Sequence, residues 1–114
     1  MKQDRNRLYE GMYILNANLS EDARKKALQK ILDGIETRKG EVVKIHEMGR
    51  RRLAYTIDKK KEGFYFVVYF NASPEVIQEL WEEYQLNEDL VRFITLQADK
   101  VLESLEFKPL NAGA

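Results

Sequence analysis

Residues 41–70 read EVVKIHEMGRRRLAYTIDKKKEGFYFVVYF, and the fold turns on this stretch. Val43 and Ile45 alternate with polar neighbours, and Leu53, Tyr55 and Ile57 alternate again, so Glu41 to Lys59 reads as one long strand. Gly49 stands between the two runs, where a bulge or bend would re-aim the strand. Lys59-Lys60-Lys61-Glu62-Gly63 forms a turn with a basic tip. Phe64 to Phe70 is apolar on both faces. Both sides of that strand must therefore be covered, or one of them is a contact surface.

Two helical patterns flank this hairpin. Ser20 is a fitting N-cap with Glu21 and Asp22 in the first turn, and Ala27, Leu28, Ile31, Leu32 and Ile35 recur at helical spacing. Arg38, Lys39 and Gly40 supply the stop. Ser73-Pro74-Glu75 opens a second helix, with Val76, Ile77, Leu80, Trp81 and Tyr84 on its apolar stripe. Leu8 to Leu15 reads as a first strand and Leu90 to Leu96 as a last. The order is strand, helix, strand, strand, helix, strand. This predicts an α+β, ferredoxin-like β-α-β-β-α-β fold: a four-stranded antiparallel sheet with two helices on one face. The domain is expected over residues 8–98, with a short N-terminal extension at 1–7 and a tail at 99–114. The tail has room for one short helix before Pro109.

The chain has 114 residues, 44% hydrophobic and 33% charged, which is a globular composition with room for one core. No apolar run approaches the roughly 20 residues of a membrane helix, and Met1 to Arg7 lacks the apolar segment of a secretory signal. An intracellular, cytoplasmic domain is expected. Without cysteine, a disulfide scaffold, a thiolate zinc site and a cysteine nucleophile are excluded, and His46 as the sole histidine gives little support to a metal cluster or a His-based triad. The net charge is zero, but residues 1–61 carry 16 Lys/Arg against 9 Asp/Glu, and residues 62–114 carry 3 against 10. That asymmetry suits one surface for a polyanion and another for something basic.

Catalysis finds little support. His46 and Glu47 are strand neighbours and point to opposite faces. The acids Glu75, Glu79, Glu82 and Glu83 lie opposite the apolar stripe of their helix, as a solvated face or an acceptor for a basic partner. No phosphate-cradling glycine loop is present, and Asn16-Ala17-Asn18-Leu19 lacks the arginine of an acylphosphatase-like enzyme. No metal, cofactor or small-molecule substrate is expected. The strongest feature is Gly49-Arg50-Arg51-Arg52, three planar donors suited to phosphate and to stacking on bases. Lys59, Lys60, Lys61, Arg5 and Arg7 can extend it. RNA is favoured over DNA, because the second helix is acidic and the first has no special basic tip. A second reading uses Gly63 to Tyr69, which resembles the RNP1 segment of RNA-recognition motifs, where exposed strand aromatics stack on single-stranded RNA. Glu62 and Tyr65 depart from that pattern.

The chain also resembles the family of the sixth protein of the bacterial small ribosomal subunit. The resemblance rests on Arg7-Leu8-Tyr9-Glu10, Gly49-Arg50-Arg51-Arg52-Leu53-Ala54-Tyr55 and Asn87-Glu88-Asp89-Leu90-Val91-Arg92, and it spans about residues 5–100. Thr56 stands where the family usually has proline. The resemblance implies a non-catalytic structural component that binds small-subunit (16S) ribosomal RNA during platform assembly. It also implies a basic protein partner, the eighteenth small-subunit protein. Arg7, Arg50, Arg51, Arg52 and Arg92 would then face phosphates, with Tyr9 and Tyr55 structural or flanking.

Overall fold

The structure is a computed structural model that describes residues 6–57 and 60–103, with backbone only at 54–57 and 60. Most of the expected N-terminal extension, the expected helix before Pro109 and Lys59 lie outside the described residues, while Lys60 to Gly63, expected as a turn, are strand. The elements are β1 (Arg7–Asn16), α1 (Glu21–Thr37), β2 (Glu41–Ile57), β3 (Lys60–Ala72), α2 (Pro74–Gln85) and β4 (Leu90–Gln97). They follow the expected order. The sheet runs β2-β3-β1-β4 with every pairing antiparallel, so β2 and β4 are its edges. No helix among the described residues is long and apolar enough to cross a membrane.

Local chemistry accounts for the element ends. Ser20 accepts a hydrogen bond from the Ala23 amide at 3.1 Å, which satisfies one of the orphan donors of α1. Ser73 makes no such bond, so the start of α2 rests on Pro74 at its first position. At the end of α1 the left-handed residue is Lys39, at φ 66°, and not the expected Gly40. Gly40 serves a different need, because a Cβ there would stand 2.7 Å from Ile35 Cγ2 and 3.0 Å from the Asn71 carbonyl.

The period-2 alternation of the central strands sorts their side chains into two apolar layers. Tyr9, Tyr13 and Leu15 of β1 join Phe66, Val68 and Phe70 of β3 on the helix side, against Ala27, Ile31, Ile35, Leu80 and Tyr84. At the heart of this layer the Tyr13 and Tyr84 rings meet edge to face, and their hydroxyls are 2.9 Å apart. Ile14, Leu53 and Tyr65 form a second cluster, flanked by Met48 and Val91, on the opposite side.

That opposite side is also crossed by the chain after β4. The Ala98 amide donates to the Leu8 carbonyl at 2.8 Å, and the Leu102 carbonyl accepts from His46 Nε2 at 2.8 Å. Lys44 Nζ meets Glu103 Oε1 at 3.3 Å. Residues 98–103 therefore pass from β1 over β3 to β2. Tyr69 lies beneath, 1% exposed, with its hydroxyl donating to Glu10 at 2.6 Å.

The buried hydroxyl pair offers a direct test of the core. Replacing Tyr13 or Tyr84 alone by Phe leaves one buried hydroxyl unpartnered, for an expected loss of about 1–3 kcal/mol. Replacing both should cost less than the sum of the single losses, and additive losses in urea unfolding would show that the bond contributes nothing. Burial also pushes the Tyr13 phenol well above its ordinary 10.0 and that of Tyr84 to about 12. Folded values above unfolded ones mean that this stability is whole below pH 10 and is lost as pH rises through about 12. The unfolding free energy should thus fall above about pH 10, and less steeply in the double Phe variant. An identical alkaline slope in both proteins would place the loss elsewhere.

Candidate nucleic-acid interface

The arginine run is placed by a break in the sheet ladder. Gly49 has φ 82°, in the left-handed region that glycine tolerates, and the β2–β3 register shifts between Glu47 and Gly49. Beyond this bulge Arg50 lies opposite Phe64, Arg51 opposite Gly63 and Arg52 opposite Glu62. Since alternate residues share a face, Arg50 and Arg52 stand on the helix side and Arg51 on the other. The bend that the glycine predicted is present, and it splays the three guanidinium groups around both sides of the hairpin end.

Two of them are pinned. Arg50 Nη1 donates to Glu62 Oε1 at 2.7 Å and Nη2 to the Ala17 carbonyl at 3.1 Å. Arg51 Nε donates to the Met48 carbonyl at 2.9 Å, which braces the bulge. Arg52 is exposed and carries no ion pair among the described residues. The Arg50–Glu62 pair is half-exposed, so it fixes geometry more than it adds stability.

Arg92 joins this end from β4. It lies opposite Ile14, whose other neighbour across the sheet is Tyr65, which in turn faces Gly49. Three strand spacings, about 14 Å, thus separate the backbones of Arg92 and Gly49 in one row. Arg92 is exposed and shares the Arg51 side of the sheet. Arg7 does not join them. It opens β1 at the opposite end of the sheet, seven residues from Ile14 or about 24 Å along an extended strand. There its charge reaches the Tyr9 phenol alongside that of Glu75. Tyr9 is 8% exposed and stacks on Phe70, a packing residue. The side chain of Tyr55 lies outside the described residues.

One cation was missed. Arg24, in the first turns of α1, places its guanidinium 3.9 Å from the centre of the Phe64 ring. Helical periodicity gives such a residue no signal. Only the topology, which returns the start of α1 to the end where β2 turns into β3, could have singled it out.

The base-stacking reading is corrected by burial. Tyr65 and Tyr69, the aromatics it needs on an open sheet face, are 3% and 1% exposed. Tyr65 is packed with Ile14 and Leu53, and residues 98–103 lie over Tyr69. The acidic helix also has internal duties. Arg38, at the end of α1, meets Glu79 at 3.2 Å and Glu83 at 3.1 Å, so part of its negative face ties the two helices together.

Comparison with known proteins agrees with this architecture. The model of the family "Ribosomal protein S6" matches residues 8–97. Small ribosomal subunit protein bS6 of Protochlamydia amoebophila is 57% identical, over 97% of either chain. Its counterpart from Chlamydia trachomatis serovar L2 is 56% identical, over 96% of this chain and 98% of its own. The crystal structure of 30S ribosomal protein S6 from Thermotoga maritima superposes with a TM-score of 0.78 at 35% identity, over 82% of this chain and 88% of that one. With the family model covering nearly the whole folded region, the chain belongs to the ribosomal protein S6 family, whose members are structural components of the small ribosomal subunit and not enzymes.

Proposed function

We propose that the protein binds small-subunit (16S) ribosomal RNA through the hairpin end of its sheet. In this reading it does so in the cytoplasm, jointly with the eighteenth small-subunit protein, as the platform is assembled. The observation that carries this reading is the convergence of Arg50, Arg51, Arg52 and Arg92 on one end, splayed by the Gly49 bulge. Such a surface suits a phosphate backbone better than base edges, since guanidinium groups on both sides of a strand can follow a chain that passes around it. Arg7, at the far end, would be a separate point of contact.

A chain of zero net charge with a local cationic end should bind RNA weakly alone, because affinity grows with the phosphates neutralised. A basic partner adds cations and offsets the acidic half. For its seat, β4 is an edge strand with Ile94, Leu96 and the neighbouring Trp81 exposed, beside the acidic α2. This combination fits an apolar and basic segment.

Two measurements test the proposal. Converting Arg52 and Arg92 together to alanine should reduce the slope of log affinity against log salt by about 1.5–2 units. A slope equal to that of the wild type would remove both residues from the RNA surface. In filter binding, adding the partner should raise RNA affinity at least about tenfold, a coupling of about 1.4 kcal/mol. Equal affinity with and without the partner would refute the joint mode.

A further inference from the structure

Phe64 is gripped by two arginines. Arg24 lies 3.9 Å from its ring centre and Arg50 lies 5.2 Å from it, so two like charges stand within about 9 Å, roughly one Debye length. Only Arg50 has a carboxylate partner, Glu62. The Arg24 side chain makes no ion pair or hydrogen bond among the described residues, and its Nε is buried without a partner. A buried guanidinium donor of this kind ordinarily finds an acceptor. Arg52 stands two residues beyond Arg50 on the same side of β2. Among the described residues, the helix side of the hairpin end therefore carries three guanidinium groups against the carboxylate of Glu62. The ring holds Arg24 in place without neutralising it.

We propose that Arg24, Arg50 and Arg52 form a second phosphate-binding subsite for RNA on the helix side of the β2–β3 hairpin, with Phe64 as the platform that positions Arg24. The inference rests on the RNA-binding reading and deepens it. The chain of phosphates passes around the hairpin end, meeting Arg51 and Arg92 on one side and this subsite on the other. An RNA phosphodiester between the guanidinium groups offsets the charge that the Phe64 ring leaves on Arg24 and relieves its repulsion with Arg50.

The test uses the full chain with its partner and a small-subunit ribosomal RNA fragment, titrated at several salt concentrations. Arg24→Gln should lower affinity about fivefold at low salt and reduce the salt slope by about 1 unit. Arg24→Lys, which keeps the charge and loses the planar fork, should restore the slope. Lys39→Gln, at the opposite end of α1, should leave it unchanged. If Arg24→Gln binds with the wild-type slope while the Arg52 and Arg92 variant loses its share, the subsite is overturned and Arg24 is only a brace on Phe64. An equal loss in Lys39→Gln would also overturn it, by showing a general charge effect. A wild-type protein with no salt-dependent binding would sink the RNA reading itself, and the subsite with it.

Discussion

A central strand that is apolar on both faces cannot leave either face to water, and β3 imposes this demand on the whole molecule. Phe66, Val68 and Phe70 require the two helices on one side. Tyr65, Val67 and Tyr69 require cover on the other, and each is at most 8% exposed. Both helices pack on the first of these sides, so the second cover comes from elsewhere. It comes from Leu53, beyond the bulge of β2, and from residues 98–103, drawn across by hydrogen bonds to the Leu8 carbonyl and the His46 side chain. His46 is thus a structural donor. Its partner is a carbonyl, so the proton must sit on Nε2.

This coverage determines where recognition can happen. Among the described residues the enclosed aromatics of β3 leave the sheet face without a base-stacking platform, and exposed chemistry is displaced to the ends and edges. One bulge then decides the character of the hairpin end. Without the positive φ at Gly49 the ladder would continue in register, and the arginines would leave the strand at different angles. The net charge of zero conceals this arrangement. Acids of α2 are drawn onto Arg38, while among the described residues Glu62 alone is paired with an arginine of the hairpin.

The elements and their order could be read in the sequence because each is written locally. Alternation marked the strands, apolar spacing marked the helices, and Ser20, Pro74 and Gly49 marked the ends and the bend. Gly40 was read by the same rule and had another role, since the left-handed turn falls on Lys39 and the glycine makes room for Ile35. The burial of Tyr65 and Tyr69 depends on contacts with distant parts of the chain, which no local window contains. The same limit hid the separation of Arg7 from the other arginines and the approach of Arg24 to Phe64. Sequence exposes a run of like residues, but only the folded register tells which of them share a side.

The way the arginines are held bears on why a protein of this design would need help to bind RNA. Arg50 is fixed by Glu62 and the Ala17 carbonyl, Arg51 by the Met48 carbonyl and Arg24 by the Phe64 ring. Fixing a long side chain before binding removes an ordering cost of about 0.5–1.5 kcal/mol per residue that association would otherwise carry. The same contacts occupy donors and, at Glu62, lower the local positive charge. Preorganisation and field strength are therefore traded against each other at this end of the sheet. The result favours a defined position on a folded RNA over high affinity for any polyanion, since phosphate contacts of fixed geometry set register and orientation. In the proposed reading, a component that must occupy one place in a larger assembly gains more from that balance than from tight solitary binding, and a basic partner would supply further affinity.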